Sequence, residues 1–174
     1  MKNTIPMLCA SLFALAAFAK TSTPEGWLDD YDAALKKAAA ENKHVVIDFS
    51  GSDWCGWCKR LEKEVLSKKS FREGVTNDYV LVYIDSPSNK ELLSDRAKVE
   101  NPKLVEKYDI HGFPTALIIN AKGEVVANTG YRAGGAKKYV KHLKALKKHG
   151  PEIKVLQSQI EELAEKLHAL EEDD

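Results

Sequence analysis

Two cysteines three positions apart, Cys55 and Cys58, are the side chains of this sequence best suited to covalent chemistry. They follow a β-branched run that ends at Phe49, and the pattern beyond it predicts a helix that begins near Cys55. Residues at i and i+3 lie on one helix face, so the two sulfurs can reach each other. The partial positive charge at a helix N-terminus favours the Cys55 thiolate, the species that attacks disulfides. The pair therefore predicts disulfide exchange, in which Cys55 attacks and the more buried Cys58 resolves the mixed disulfide.

The same spacing also occurs in half of a zinc site and in structural disulfides. The sequence contains no second pair of this kind, and none of its five histidines stands at ligand spacing to the pair. A bond between Cys55 and Cys58 closes almost no loop, so it would remove little entropy from the unfolded chain. We therefore expect a redox-active disulfide Cys55–Cys58 that needs no metal and no other cofactor.

The first 19 residues have a different character and are predicted to be a signal peptide. Lys2 provides a positive start, residues 5–18 are nearly all apolar or small, and a small-x-small cleavage pattern ends at Ala19. An uncleaved membrane anchor is the alternative, but the apolar run is short for spanning a bilayer. Cleavage near Ala19 would remove the third cysteine, Cys9, and would deliver the mature chain to the periplasm or another exported location.

The overall composition is typical of globular proteins, with 44% hydrophobic and 30% charged residues. The 26 basic and 26 acidic residues give a formal net charge of zero, so bulk charge offers no attraction to nucleic acid. We expect no nucleic-acid partner. A chain of 174 residues can form one domain with its own core and a short extension.

Helical and strand patterns alternate along residues 20–149 and predict one α/β domain, a mixed central sheet flanked by helices. The last two strands are joined through a turn at residues 121–123, which predicts an antiparallel hairpin at the sheet edge. Asn101 and Pro102 have the types favoured at the cap and first position of a helix. The predicted helices are 29–42, 55–65, 102–108 and 136–148, and the predicted strands are 45–49, 79–85, 115–119 and 125–129.

Gly150 and Pro151 are expected to end this domain, and residues 150–174 are expected to form a separate amphipathic helix. Six aliphatic residues of that helix recur at alternating spacings of three and four, as in a coiled-coil seam. They are Ile153, Leu156, Ile160, Leu163, Leu167 and Leu170. Two interpretations stay open: the seam packs on its own domain, or residues 153–170 bind a partner or a second copy as a homodimer.

Three segments together resemble the thioredoxin superfamily: Val45–Phe49, the unit Trp54–Lys59 with sequence WCGWCK, and Gly112–Thr115 with sequence GFPT. The proline of the third segment stands 56 residues after Cys58 and just before a predicted strand, as in that family. The similarity extends over about residues 27–148. Within the superfamily, the chain is most similar to exported bacterial thioredoxin-like proteins and to the periplasmic C-terminal domain of the membrane thiol:disulfide interchange protein.

The resemblance implies a thioredoxin fold and a substrate-binding surface around the cysteines. Pro114 would follow a cis peptide bond, and Phe113 would offer its backbone to an extended substrate strand. Gly130 would allow close substrate approach on the far side of the groove. Trp54 and Trp57 would form an apolar rim around the sulfurs, with plain packing as the alternative role for Trp54.

The resemblance also implies a proton acceptor. In thioredoxins, an acid at the strand position of Asp48 accepts the proton of the resolving cysteine, here Cys58. The segment from Asp48 to Cys55 is one residue longer than the thioredoxin pattern, and the strand 79–85 contains no lysine to pair with the acid. Asp53 is nearer to the cysteines in sequence and is the rival candidate, unless it is a loop-surface residue.

These features predict an exported thiol–disulfide oxidoreductase that reduces, or relays electrons to, protein disulfides. Its expected partners are protein disulfide substrates and a membrane electron donor. Two alternatives stay open: a disulfide oxidase or isomerase dimerised by the C-terminal helix, and a thioredoxin-fold binding module without turnover. Retention of both cysteines argues against the binding module. Gly56 and Trp57, between the cysteines, set the redox potential, whose value the sequence does not give.

Overall fold

The computed structural model describes residues 23–172, with side chains described as far as Leu170. The predicted signal peptide and its cleavage site near Ala19 lie outside the described residues. Within residues 23–172, no helix is long and apolar enough to cross a membrane.

The described chain contains five α-helices and four β-strands, and apart from one additional helix before the second strand they follow the predicted order as far as the last strand. A π-helical turn, Glu62–Leu66, continues the second of these helices, and a short 3₁₀ turn, Lys90–Leu92, precedes the fourth. The bounds are α1 Tyr31–Glu41, β1 His44–Ser50, α2 Gly56–Leu61, α3 Lys69–Val75, β2 Tyr79–Asp85, α4 Asp95–Lys107, β3 Thr115–Ile119, β4 Val125–Thr129 and α5 Gly135–Glu172. Helix α3 was not predicted from the sequence.

The four strands form one mixed sheet in the order β2-β1-β3-β4. β1 pairs parallel with β2 and antiparallel with β3, and β3 pairs antiparallel with β4 through the predicted hairpin. The predicted α/β class with a mixed sheet is therefore confirmed. β1 is a central strand, and Asp48 in its middle stands opposite Tyr83 of β2 and Ala116 of β3.

The sheet separates two hydrophobic cores, because successive side chains of a strand point to opposite faces. Val46 joins the core that contains Leu61 of α2, together with residues of α3 and α5. Ile47 joins the core on the other face, which contains Ala34 of α1 and part of α4. Asp48 shares the face of Val46, so its carboxyl points toward the side of the sheet that α2 covers.

Helix α4 begins earlier than its sequence signals predict. Ser94 caps the helix by accepting a hydrogen bond from the Ala97 N–H, and Pro102 lies inside the helix instead of at its start. Asn101 is buried, and its side-chain amide donates a hydrogen bond to the backbone oxygen of Asp85 at 2.8 Å. The prediction of a cap at Asn101 was wrong because this side chain tethers α4 to the end of β2.

Helix α5 does not end at Gly150 and Pro151, as predicted, but continues unbroken through both residues. A Cβ on Gly150 would stand 2.6 Å from the backbone oxygen of Val126, closer than real Cβ atoms approach. The glycine therefore permits close packing of α5 on β4 and does not terminate the helix. Beyond this contact, the helix leaves its domain, and residues 151–170 are all exposed. The interpretation in which the aliphatic seam packs on its own domain is not what the structure shows.

Candidate active site

Cys55 and Cys58 lie at the start of α2, where the chain leaves the central strand. Cys55 is the N-cap residue of α2, and its Sγ accepts a hydrogen bond from the Cys58 N–H at 3.1 Å. The two residues form a disulfide, with their Cα atoms 5.2 Å apart. Cys55 is 6% exposed and Cys58 3%, so the expected difference in burial is small in this oxidised state. After reduction, the N–H donor and the helix N-terminus would both stabilise a Cys55 thiolate.

The two cationic residues that follow the pair bind other groups. Lys59 Nζ donates a hydrogen bond to the backbone oxygen of Asp53 at 2.7 Å, and Arg60 Nε donates to the carboxylate of Glu64 at 2.8 Å. Both interactions lie on the exposed side of the helix. Each of these cations is held by another group, whereas the first N–H groups of α2 lie at Cys55, whose Sγ accepts from the Cys58 N–H.

Asp48 is a buried acid on the face of the sheet that α2 covers. Its side chain is 1% exposed, and its Oδ1 has no hydrogen-bond partner among the described residues. Burial, and after it the negative charges of Glu62 and Asp85, raise the pKa of the Asp48 carboxyl to about 8. At neutral pH the carboxyl is mostly protonated, and its pKa is close enough to pH 7 for it to accept or release a proton.

Glu62 and Asp85 are site residues that the sequence analysis missed. Glu62 stands four residues after Cys58 on the continuing helix, and partial burial followed by the charge of Asp85 raises the pKa of its carboxyl. Asp85 ends β2 and accepts hydrogen bonds from the Ser52 N–H and hydroxyl at 2.9 and 2.6 Å. Glu62 and Asp85 thus interact with Asp48, and the three acids come from three different elements. The i+4 spacing from Cys58 was a signal that could have marked Glu62.

Asp53, the rival to Asp48, anchors a surface loop. Its two carboxylate oxygens accept hydrogen bonds from the backbone N–H groups of Ser88 and Asn89 at 2.9 and 2.8 Å. The bond from Asn89, then that from Ser88, holds the pKa of the Asp53 carboxyl below its usual value. A carboxylate that is exposed and stabilised in its charged form is a poor proton acceptor at neutral pH. The geometry therefore favours Asp48.

Trp54 and Phe113 form an aromatic wall on one side of the cysteine pair. Their rings meet edge to face with centroids 5.5 Å apart, and the Trp54 indole N–H donates a hydrogen bond to the Ser86 backbone oxygen at 2.8 Å. A Cβ on Gly51 would overlap the Trp54 ring, so the ring packs directly on backbone. Half of Trp54 is nevertheless exposed, so this residue is both packed and available to a ligand.

Trp57 forms a second wall with Tyr131, which was not among the predicted site residues. The ring centroids are 5.1 Å apart, and the Arg60 guanidinium lies over both rings at 5.5 and 5.2 Å. Tyr131 also donates a hydrogen bond to the Glu64 carboxylate at 2.7 Å. Trp57 is 56% exposed, so the wall presents apolar surface to solvent beside the cysteines.

Pro114 lies just before β3 and Gly130 just after β4, and the two residues are close together. The Phe113–Pro114 peptide bond is cis, which confirms the expectation from the family resemblance. A Cβ on Gly130 would stand 3.0 Å from the Pro114 backbone oxygen, and Thr115 Oγ1 donates a hydrogen bond to the Gly112 oxygen at 2.8 Å. The missing side chain at Gly130 therefore allows close approach of the chain to Pro114.

The arrangement as a whole suits disulfide exchange. It combines two linked sulfurs at a helix N-terminus, an acid that titrates near neutral pH, and exposed aromatic side chains beside them. Among residues 23–172, no group of three or more histidine, cysteine, aspartate or glutamate side chains could hold a metal ion. The two sulfurs can carry an electron pair themselves.

Comparison with known protein families agrees with the fold and the cysteine pair described above. A family model described as a thioredoxin-like domain matches residues 31–147, a span that contains every site residue discussed above. The chain belongs to the thioredoxin-like family. With its Cys55–Cys58 disulfide, it is a thiol–disulfide oxidoreductase-like member of that family.

Several relatives of this thioredoxin-like chain are named for disulfide chemistry. The disulfide bond reductase DsbH of Chlamydia pneumoniae is 29% identical over 117 residues, which cover 67% of this chain and 70% of DsbH. The thiol:disulfide interchange protein DsbD of Colwellia psychrerythraea is 27% identical over 115 residues, which cover 64% of this chain but 17% of that protein. The match to DsbD therefore concerns one part of a much longer protein.

A solved structure of the DsbH oxidoreductase has the same fold. It superposes with a TM-score of 0.66 at 27% identity and covers 74% of this chain and 88% of that chain. The superfamily resemblance inferred from three short segments is thereby confirmed over most of the chain.

Proposed function

We propose that this protein is an exported oxidoreductase that reduces protein disulfides, or relays electrons to them, through Cys55 and Cys58. The observation that carries the proposal is the position of Cys55, which caps α2 and is bonded to Cys58, next to a strand that bears the buried acid Asp48. The relative named disulfide bond reductase, matched over 70% of its length, supports the reducing direction.

In the first step, the Cys55 thiolate attacks one sulfur of a substrate disulfide. A bond forms between Cys55 Sγ and that sulfur, the substrate disulfide breaks, and the second substrate sulfur leaves as a thiolate that takes a proton from water. The exposed rings of Trp54 and Trp57 would contact the substrate chain on either side of the attacked sulfur. Phe113 and Pro114 would align that chain, and Gly130 would leave room for it.

In the second step, Cys58 resolves the mixed disulfide. The Cys58 thiol loses its proton to the Asp48 carboxylate and attacks Cys55 Sγ. The bond between Cys55 Sγ and the substrate sulfur breaks, and that sulfur takes a proton from water, so that the substrate leaves as a dithiol. The substrate has then gained two electrons and two protons, and the enzyme holds the Cys55–Cys58 disulfide and a protonated Asp48. A pKa of about 8 for Asp48 in the oxidised state agrees with this final protonation state.

In the third step, a membrane-bound dithiol donor returns two electrons to the Cys55–Cys58 disulfide and becomes a disulfide itself. Cys58 regains its proton from Asp48, and the two protons of the donor pass to water. The predicted signal peptide motivates placing this cycle in an exported compartment, where substrates carry disulfides. The partial match to the thiol:disulfide interchange protein DsbD supports dithiol exchange as the source of the electrons.

The redox potential of the Cys55–Cys58 couple tests the direction of electron transfer. We expect a value near that of thioredoxin, about −270 mV, and a value near about −120 mV would identify a strong oxidant instead. Insulin reduction with dithiothreitol tests turnover: Cys55→Ser should be inactive, and Cys58→Ser should accumulate a mixed disulfide that a mass spectrum detects. Activity of the native chain no higher than that of Cys55→Ser would favour the binding module without turnover.

The second candidate function is a disulfide isomerase or oxidase that works as a dimer. The observation in its favour is the exposed aliphatic seam of residues 153–170, which offers a surface for a homodimer. Refolding of a substrate with scrambled disulfides would distinguish it, since an isomerase restores native pairing without a net change in the number of disulfides.

A further inference from the structure

The second half of α5 carries an apolar surface that its own domain does not cover. We call this surface the tail stripe; it consists of Ile153, Leu156, Ile160, Leu163, Leu167 and Leu170. Their exposed fractions run from 44% to 68%, and every residue from 151 to 170 is exposed. Large aliphatic side chains gathered on one projecting helix mark an interaction surface rather than ordinary surface variation.

The spacing of the residues in the tail stripe indicates that the stripe binds another helix. Alternating steps of three and four residues place Ile153, Ile160 and Leu167 at the a positions of a heptad, with leucines at the d positions. The segment 153–170 is about 27 Å long as a helix. At roughly 100 Å² per side chain, two such stripes bury on the order of 1,200 Å², the lower end of the range for stable interfaces. A second copy of the chain supplies a matching stripe.

The charges on α5 decide how two copies would be oriented. Residues 161–172 carry five acidic side chains and one lysine, whereas residues 144–154 carry four lysines and one acidic side chain. Parallel helices would bring the two acidic ends together. Antiparallel helices place each acidic end beside the basic segment of the other copy, where Lys148 and Lys154 are exposed.

A groove at the base of the tail stripe fits the same orientation. It has a volume of about 250 Å³ and lies between β4 and α5, lined by residues 125–128 together with Leu146, Gly150 and Ile153. In an antiparallel pair, Leu170 of the second copy stands opposite Ile153, next to this groove. Ile153 belongs to both the groove and the tail stripe, and Lys154 and Gln157 belong to the polar part of the groove's lining.

We infer that the protein forms a homodimer in which residues 153–170 of two copies pair as antiparallel helices. The layers of this seam are Ile153 with Leu170, Leu156 with Leu167, and Ile160 with Leu163, each across the two copies. The inference rests on the tail alone, so it holds whichever way electrons flow through Cys55 and Cys58.

Measurement of mass in solution tests the interface. Light scattering on the full chain should give twice the chain mass, and Leu156→Glu with Leu163→Glu should raise the dimer dissociation constant at least roughly 100-fold, since four charges would enter the seam. The matched control, Ser158→Glu with Ala169→Glu, adds the same charge on the outer face and should remain dimeric. A monomeric native chain, a higher oligomer or a control that dissociates equally would overturn the inference. Insulin reduction by all three proteins checks that the catalytic domain is intact.

Cross-linking tests the orientation without depending on the glutamate variants. In a background with Cys9, Cys55 and Cys58 all changed to serine, Leu156→Cys and Leu167→Cys chains are oxidised separately and as a mixture. Antiparallel pairing predicts that the mixture forms disulfide-linked dimers between the two variants at least ten times faster than either variant alone. Rapid cross-linking of either variant with itself would show parallel pairing, and equally slow reactions in all samples would exclude the seam.

Discussion

Replacement of Asp48 by asparagine should stabilise the oxidised protein, and the gain should grow with pH. In the folded protein, burial together with the charges of Glu62 and Asp85 raises the pKa of the Asp48 carboxyl to about 8, from an ordinary value of 3.8. Between these two values, the folded chain binds a proton that the unfolded chain has released. Stability of the native protein therefore falls as the pH rises through this window and levels off above about pH 8. Asparagine has no titrating proton, so the Asp48→Asn variant does not share this loss.

The expected magnitude follows from the linkage of one proton. The stability difference between Asp48→Asn and the native chain should widen by about 1.4 kcal/mol per pH unit from pH 5 to pH 7. From pH 5 to pH 8 the difference should grow by about 4 kcal/mol. Urea denaturation at closely spaced pH values, without reductant so that the Cys55–Cys58 disulfide stays intact, measures this difference. Glu62 is present in both proteins, so its own titration largely cancels.

A difference that stayed constant from pH 5 to pH 8 would refute the reasoning, because it would mean that Asp48 is already ionised in the folded protein. Asp53→Asn is the matched control. The hydrogen bonds from Asn89 and Ser88 lower the pKa of Asp53, so this group stabilises the fold above its unfolded pKa and loses that effect in acid. Asp53→Asn should therefore be destabilising at neutral pH and nearly neutral at low pH, the opposite trend.

Two further predictions concern glycines that allow close backbone approach. Gly130→Ala would place a Cβ 3.0 Å from the backbone oxygen of Pro114. We expect the loop that contains Pro114 to shift and kcat/KM for insulin reduction to fall roughly tenfold. An unchanged kcat/KM would show that the position of this loop does not affect catalysis. Gly150→Ala would place a Cβ 2.6 Å from the Val126 oxygen and should lower the free energy of unfolding by about 1–3 kcal/mol in urea denaturation. Unaltered stability would mean that α5 separates from β4 without cost.

The strands were predictable because their signal is local. Three of them, 79–85, 115–119 and 125–129, have the bounds that the β-branched runs and turn residues predict, and the fourth extends the predicted 45–49 by one residue at each end. The start of α2 at the cysteine pair was predictable for the same reason. Strand propensity and turn chemistry are properties of adjacent residues, so no distant contact is needed to read them.

The helix ends were less predictable, since tertiary contacts changed the meaning of local signals. Asn101 before Pro102 has the composition of a helix start, but a hydrogen bond to Asp85 holds it inside α4. Gly150 before Pro151 has the composition of a helix end, but close packing on β4 accounts for the glycine, and α5 continues. In both places, the residue types reflect a contact with a strand distant in sequence and not the end of a helix.

The sequence by itself determined the reactive centre. Cys55 and Cys58, at the spacing of one helical turn and directly after a strand, are brought together by local geometry, and their disulfide forms at a helix N-terminus as that geometry requires. Only the tertiary structure decided which group can accept the proton of Cys58. Asp48, Glu62 and Asp85 come from different elements, and the pKa of Asp48 depends on how completely the sheet and helices exclude water around it. Desolvation is a property of the volume around a group, which the order of residues along the chain does not specify.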